Sequence, residues 1–289
     1  MRQDRLTRQE EGRITFAVLD THWNRIQPFV EQYAVARGVQ VDPRALEYDE
    51  LYRHVSLALT QRAETFDVVS LSDTWIPQFA PFVTTMPPND EQQAGLAPVA
   101  DAAARYPLDA NPCGLPWVGD VQFFAAWPGW LTAEGLQTPE TWEHVLDGAS
   151  MIAAGLDEET SRAGFAISTL SSRDLVNSFL PILRGFGKEL IDPESSVPQL
   201  DTPEAIAAMQ IFEQLILLSP NESPATGELT NAERFSLGDI AMMSNYWATD
   251  WLSASAGVEP ITDDLLATLQ PAESEIERTC LPNIWVAGI

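Results

Sequence analysis

Between positions 117 and 130 the chain places Trp117, Asp120, Gln122, Trp127 and Trp130. Flat apolar rings interleaved with short polar side chains suit a ligand that is apolar on its faces and hydroxylated on its edges. A sugar or polyol has that character. The surrounding stretch, 111–146, is extended and punctuated by Pro and Gly before it enters a helix carrying Trp142. The same residues would also suit a buried strand whose tryptophans are core. Asp120 and Gln122 alternate with Val121 and Phe123, which puts the polar pair on one face of a strand and the apolar pair on the other. That polar face either lines a cleft or meets solvent. Trp127 and Trp130 fit either role, whereas Trp142 lies on an apolar helical stripe and reads as core.

Elements that can hold such residues come first in the chain. Residues 14–19 (ITFAVL), 39–41 (VQV) and 66–71 (FDVVSL) read as buried strands. A helix is expected from Pro28, with Phe29, Val30, Tyr33 and Ala36 on one face and Gly38 as the stop. A second spans 48–62, with Leu51, Val55, Ala58 and Leu59 inward. Strand–helix–strand–helix–strand argues for a parallel sheet, whose ligands sit beyond the carboxyl ends of the strands. Those ends are Asp20–Trp23 and Ser72–Trp75. Asp73 there either accepts ligand hydroxyls or caps the next helix. Further on, Thr138–Pro139 is expected to open a helix, GFAI at 164–167 is a strand, and 174–184 is helical. Thr202–Pro203–Glu204 is a helix start with an apolar stripe of Ala205, Met209, Phe212 and Ile216. A short helix at 233–237 precedes the strand IAMMS at 240–244, with Asn245, Tyr246 and Trp247 at its end. Residues 254–278 read as loop, and LPNIWVAGI closes the chain as a strand.

Composition narrows the partners. The 289 residues are 45% hydrophobic and 20% charged, as in a folded globular chain. Lys188 is the only lysine, and 42 acidic against 16 basic residues leave a formal net charge of -26. Nucleic acid and anionic membranes are repelled by such a surface. Cys113 and Cys280 are too few for a disulfide scaffold or a zinc site, and either pair once or stand as separate thiols. His22, His54 and His144 are scattered without metal-ligand spacing. No P-loop, G-x-G-x-x-G, G-x-S-x-G or H-E-x-x-H occurs, so no cofactor or metal is expected. The N-terminus lacks the apolar core of a signal peptide.

Five stretches, in this order, resemble the extracellular solute-binding proteins of ABC importers, the sugar-binding, maltose-binding type. They are FDVVSLSDTWIPQFA (66–80), GLPWVGDVQFFAAW (114–127), GLQTPETWEHVL (135–146), LDTPEAIAAMQIFEQLI (200–216) and FSLGDIAMMSNYW (235–247). The resemblance runs from about 14 to 289. It implies an α/β, two-lobe periplasmic-binding-protein-like fold of type II, with residues 1–112 plus 243–289 in one lobe and 113–242 in the other. Family members continue past the point matched by WVAGI, so the second lobe is expected to be incomplete. Ligand groups carried over by position are Asp73, Trp75, Trp117, Asp120, Gln122, Asn245, Trp247 and, more loosely, Trp285. Arg184 falls near a segment that reaches the family's cleft, but in a last helical turn it also complements the helix dipole. The implied protein is a monomeric, periplasmic or extracellular binder that hands a sugar or polyol to a membrane permease. The competing readings are a carbohydrate hydrolase with paired carboxylates and a remnant of a binder that no longer transports.

Overall fold

The computed structural model describes residues 12–86, 95–156, 162–192, 195, 197–220, 228–248, 265–273 and 275–289. The chain divides into two compact units, Met1–Gly119 with Asn283–Ile289, and Asp120–Pro282. Two strands, β4 (Leu115–Ala126) and β8 (Leu281–Gly288), pass through the boundary and contribute residues to both units.

The first unit opens with β1 (Arg13–Leu19), α1 (Asp20–Arg37), β2 (Gln40–Leu46), α2 (Tyr48–Thr60) and β3 (Val68–Ser72). β1 pairs in parallel with β2 and β3, as the strand–helix alternation predicts, and β8 joins β3 antiparallel. Ala17, Val69, Leu71 and Val286 of the strands pack with Leu51 and Val55 of α2 in one apolar cluster. Gly114 lies so close to β8 that a Cβ there would collide with the Ala287 carbonyl oxygen.

α1 departs from expectation. It starts at Asp20, directly after β1, and Pro28 lies inside it. Asp20 in the first turn complements the positive end of the helix. Gly38 ends it in the left-handed conformation (φ 66°), its N–H bonding to Ala34 O. The expected inward face is outward instead: Phe29 is 71% and Tyr33 54% exposed.

The second unit holds β5 (Ala163–Ala166), β6 (Ile240–Trp247) and β7 (Leu266–Thr268) beside its part of β4. β5 runs parallel to β6, while β6 and β7 both pair antiparallel with β4. That pairing corrects the expected division of the chain. The described residues of β6 and β7 pair with β4 and fall in the unit Asp120–Pro282, and the first boundary falls after Gly119 rather than after residue 112. Asn245, Tyr246 and Trp247 belong to β6 itself, Tyr246 opposite Phe123 and Trp247 opposite Gln122.

Four helices cover these strands: α3 (Trp142–Ala154), α4 (Ser172–Gly185), α5 (Pro203–Leu218) and α6 (Glu228–Ser236). α5 starts where Thr202–Pro203 predicts, with the Thr202 hydroxyl accepting the Ala205 N–H at 3.2 Å. Its buried stripe is Ala205, Ala208, Ile211, Phe212 and Leu215, whereas Met209 points outward. α3 begins at Trp142, not at Pro139, because Thr141 is the extended residue whose hydroxyl caps the His144 N–H. Trp142 is fully buried, as its helical position predicts.

Candidate functional site

In the first unit, the carboxyl ends of β1 and β3 and the start of β8 bring together an aromatic cluster. Trp285 packs edge-on against His22 (4.9 Å between centroids), Trp75 (5.5 Å) and Tyr48 (5.9 Å). Trp117 meets His22 at 5.5 Å and Phe16 at 5.8 Å. Trp75 also touches Tyr48 and Tyr52, and its indole N–H donates to the Tyr48 hydroxyl at 3.1 Å. Trp75 and Trp285 are buried, so their faces are occupied by neighbouring rings, while Trp117 is half-buried. Edge-to-face ring pairs of this kind add about 0.5–1.5 kcal/mol each beyond area burial.

His22 is the residue that sequence reasoning missed. It stands among the indoles with Nδ1 buried and unpartnered, as is the Trp117 Nε1. Burial, with a lesser contribution from Arg25, lowers its pKa to about 4, so the ring is neutral at neutral pH. The signal available was its position in Asp20–Trp23, just beyond a strand's carboxyl end.

Asp73 follows β3 in a single 3₁₀ turn, Asp73–Trp75. Its Oδ1 accepts from the Thr74 N–H (2.7 Å), the Asn283 side-chain amide (2.8 Å) and the Ser72 hydroxyl (3.3 Å). Its Oδ2 accepts the Ile284 N–H at 3.0 Å. Burial raises its pKa, and the four hydrogen bonds pull it back without cancelling the rise.

In the second unit the polar pair on β4 is buried, not solvated: Asp120 and Gln122 are covered while Val121 is 39% exposed. Gln122, Asn245 and Trp247 share one face of the β4–β6 pair, since Gln122 lies opposite Trp247 and Asn245 is two residues before it. The Gln122 amide donates to Asn245 Oδ1 and, at 3.0 Å, to the carbonyl of Asn177 in α4. Gln122 Oε1 and Asn245 Nδ2 are buried and unpartnered. Beside them, the buried Asp174 accepts from Ser168 Oγ at 3.2 Å, and Ser178 Oγ donates to the Ser168 carbonyl at 2.8 Å. Ser168, Asp174 and Asn177 escaped sequence reasoning because no pattern marks a polar group that only tertiary folding buries. Trp247 is half-buried.

The two undecided tryptophans are structural. Trp127 donates to the Phe235 carbonyl at 2.7 Å, and Trp130 donates to the Gly238 carbonyl at 3.2 Å. Arg184 bonds Glu189 at 2.8 Å. Cys113 and Cys280 are free thiols, and burial raises the pKa of each. Among the described residues there is no group of three metal-ligating side chains, and no helix is long and apolar enough to cross a membrane.

Residues 24–272 match the model of the bacterial extracellular solute-binding protein family. The chain belongs to this family. A probable amino-acid ABC transporter periplasmic-binding protein of Sinorhizobium fredii is 27% identical over 200 residues, 65% of this chain and 45% of that protein. The chain thus spans less than half the length of that curated relative. A solute-binding protein of Agrobacterium radiobacter K84, in complex with ribitol, superposes with a TM-score of 0.83 at 16% identity, over 96% of this chain and 71% of the other. One from Thermotoga lettingae, bound with α-D-tagatose, gives 0.80 at 18% identity over 96% and 72%. The maltose-bound T. maritima MalE3 gives 0.78 at 22% identity over 96% and 72%. These likenesses establish the fold of this family member, the α/β architecture of type II periplasmic binding proteins.

Proposed function

We propose that this protein is the capture component of an ABC importer for a sugar or polyol, working in the periplasm or outside the cell and delivering its ligand to permease subunits in the membrane. The family match over residues 24–272 carries the reading. The bound ribitol and tagatose of its structural neighbours favour a small hydroxylated ligand. In this role the protein does no bond chemistry, and its work is a difference in ligand affinity between conformations.

Each unit carries its own candidate ligand-facing groups. In the first, the half-buried Trp117 offers a ring to the C–H face of a sugar, and the buried Trp75 and Trp285 back it. In the second, Trp247 offers a second ring. The spare acceptor on Gln122 and spare donor on Asn245 match the two roles of one hydroxyl group. Asp120, next on the same strand face, extends this polar edge.

The test is a thermal-shift panel of sugars, polyols and amino acids, the last because the Sinorhizobium relative is named for them. A ligand at ~100 times its Kd stabilises the fold by roughly 2.7 kcal/mol. A shift with a sugar or polyol, and no product from chromogenic glycosides, is the expected result. A shift confined to amino acids, or glycoside turnover, overturns the proposal.

A further inference from the structure

The register of β3 and β8 ends at the pair Ser72–Trp285. One residue further, β3 has already turned into its 3₁₀ helix, so no ladder carbonyl remains for the next N–H on β8. That N–H belongs to Ile284, and Asp73 Oδ2 receives it at 3.0 Å. The other oxygen holds the Asn283 amide at 2.8 Å, and the same amide reaches Ser72 Oγ at 3.0 Å. The carboxylate thus replaces the missing strand neighbour for two successive residues of β8. Directly after them comes Trp285, whose indole is the ring shared by His22, Trp75 and Tyr48.

We infer that Asp73 is a positioning residue: it pins Asn283 and Ile284 so that Trp285 is held against His22 and Trp75, and it acts on ligand only through that cluster. Its acceptor capacity supports the assignment. Four donors already converge on its two oxygens. A group placed to receive ligand hydroxyls would keep that capacity open. An amide at position 73 cannot satisfy the same donors, because its nitrogen must face either Asn283 or Ile284, donor against donor.

The experiment uses the full chain and four variants: Asp73→Asn, Asn283→Asp, the double exchange of both, and Asn283→Ala. Near-UV circular dichroism reads the coupled Trp75–Trp285 indoles without any ligand. Affinity is read with ribitol and tagatose as probes, an arm that rests on the function proposed above. Asp73→Asn should change the indole signal and weaken binding about tenfold, the scale of a lost charge-assisted hydrogen bond. Asn283→Asp, which opposes two carboxylates, should do the same. The double exchange should restore part of the indole signal and of the affinity, because the amide then at position 73 can donate to the carboxylate then at position 283 while still accepting from Ile284, and only the Thr74 N–H is left without its acceptor. Asn283→Ala, which leaves the carboxylate in place, should weaken binding about threefold by removing one link of the chain.

Three results would overturn the inference. The indole signal could stay unchanged in Asp73→Asn. The double exchange could bind as poorly as Asp73→Asn, which means the carboxylate at 73 touches ligand itself. Or Asn283→Ala could bind like the unmodified protein, a result that remains decisive if Asp73→Asn fails to fold. If no sugar or polyol of the thermal-shift panel binds the unmodified protein, the proposed function fails, while the ligand-free indole signal of the four variants still decides the role of Asp73.

Discussion

The buried carboxylate of the first unit and the buried amide pair of the second differ in how far their hydrogen-bonding capacity is filled. In the first, the Asp73 oxygens are filled by four donors and the surrounding rings close on one another edge to face. In the second, Gln122 and Asn245 are almost fully buried, more so than Asp73, yet one acceptor and one donor between them are left without partners. An unpaired buried polar atom costs about 1–3 kcal/mol. His22 Nδ1 and Trp117 Nε1 in the first unit carry the same cost as Gln122 Oε1 and Asn245 Nδ2 in the second, and under the proposed function a ligand would repay part of it. The proposed function reads the first unit as mainly ring surface and the second as mainly polar recognition.

The hardest way to break that contrast is to remove the shared ring of the first unit. Trp285→Ala should cost about 3–5 kcal/mol of stability, the range for truncating a buried large aromatic. A urea titration checks it, and a loss below about 1 kcal/mol would show that the ring cluster is not cohesive.

Acid tests the same cluster by another route. The folded chain holds His22 neutral down to about pH 4, while the unfolded chain takes up a proton near 6.5. Between those values the unfolded state binds more protons, so stability falls as pH drops and levels off below about 4. The shift corresponds to about 3 kcal/mol. His22→Phe should flatten this part of the pH profile of the urea midpoint. An unchanged slope would place the proton uptake elsewhere.

Trp247→Ala, in the second unit, should abolish the ligand-dependent part of the thermal shift, roughly 2.7 kcal/mol at ~100 Kd, while the fold remains. A full ligand response in that variant removes Trp247 from the site. The smallest effects sharpen the contrast most. Gln122→Leu should cost about 1–3 kcal/mol, because it strips Asn245 of a partner, whereas Gln122→Leu with Asn245→Leu should be close to neutral for stability and silent toward ligand. Calorimetry on the pair separates the two outcomes; equal losses for single and double variants would mean that the amides serve packing and not recognition.

Local chemistry is readable where one residue type decides it. Thr202–Pro203 places α5 correctly, since a hydroxyl, a fixed φ and an acidic first turn all act within one helical turn. The periodicity of α2 and the parallel order of β1, β2 and β3 are equally plain. The resemblance carried by the five stretches agrees with the family matched over 24–272. Pro28 misleads because proline also sits inside helices, and α1 starts where β1 releases the chain. The end of β6 and all of β7 fall in the other unit from the one expected because a strand's allegiance is set by its distant partner, here β4, and no local signal reports that partner.

The candidate site divides the same way. Residue types, strand ends and the family resemblance pointed to Asp73, Trp75, Trp117, Asp120, Gln122, Asn245, Trp247 and Trp285. Only the tertiary structure decided that Trp75 and Trp285 face other rings, that Asp73 is filled by β8, and that His22 belongs in the cluster. The physical reason is range. Backbone propensity and side-chain period act over a few residues, and a chain can display them before it folds. The partner of a buried polar group sits far away in sequence, as Asn283 does from Asp73, and exists only once the strands have been brought together.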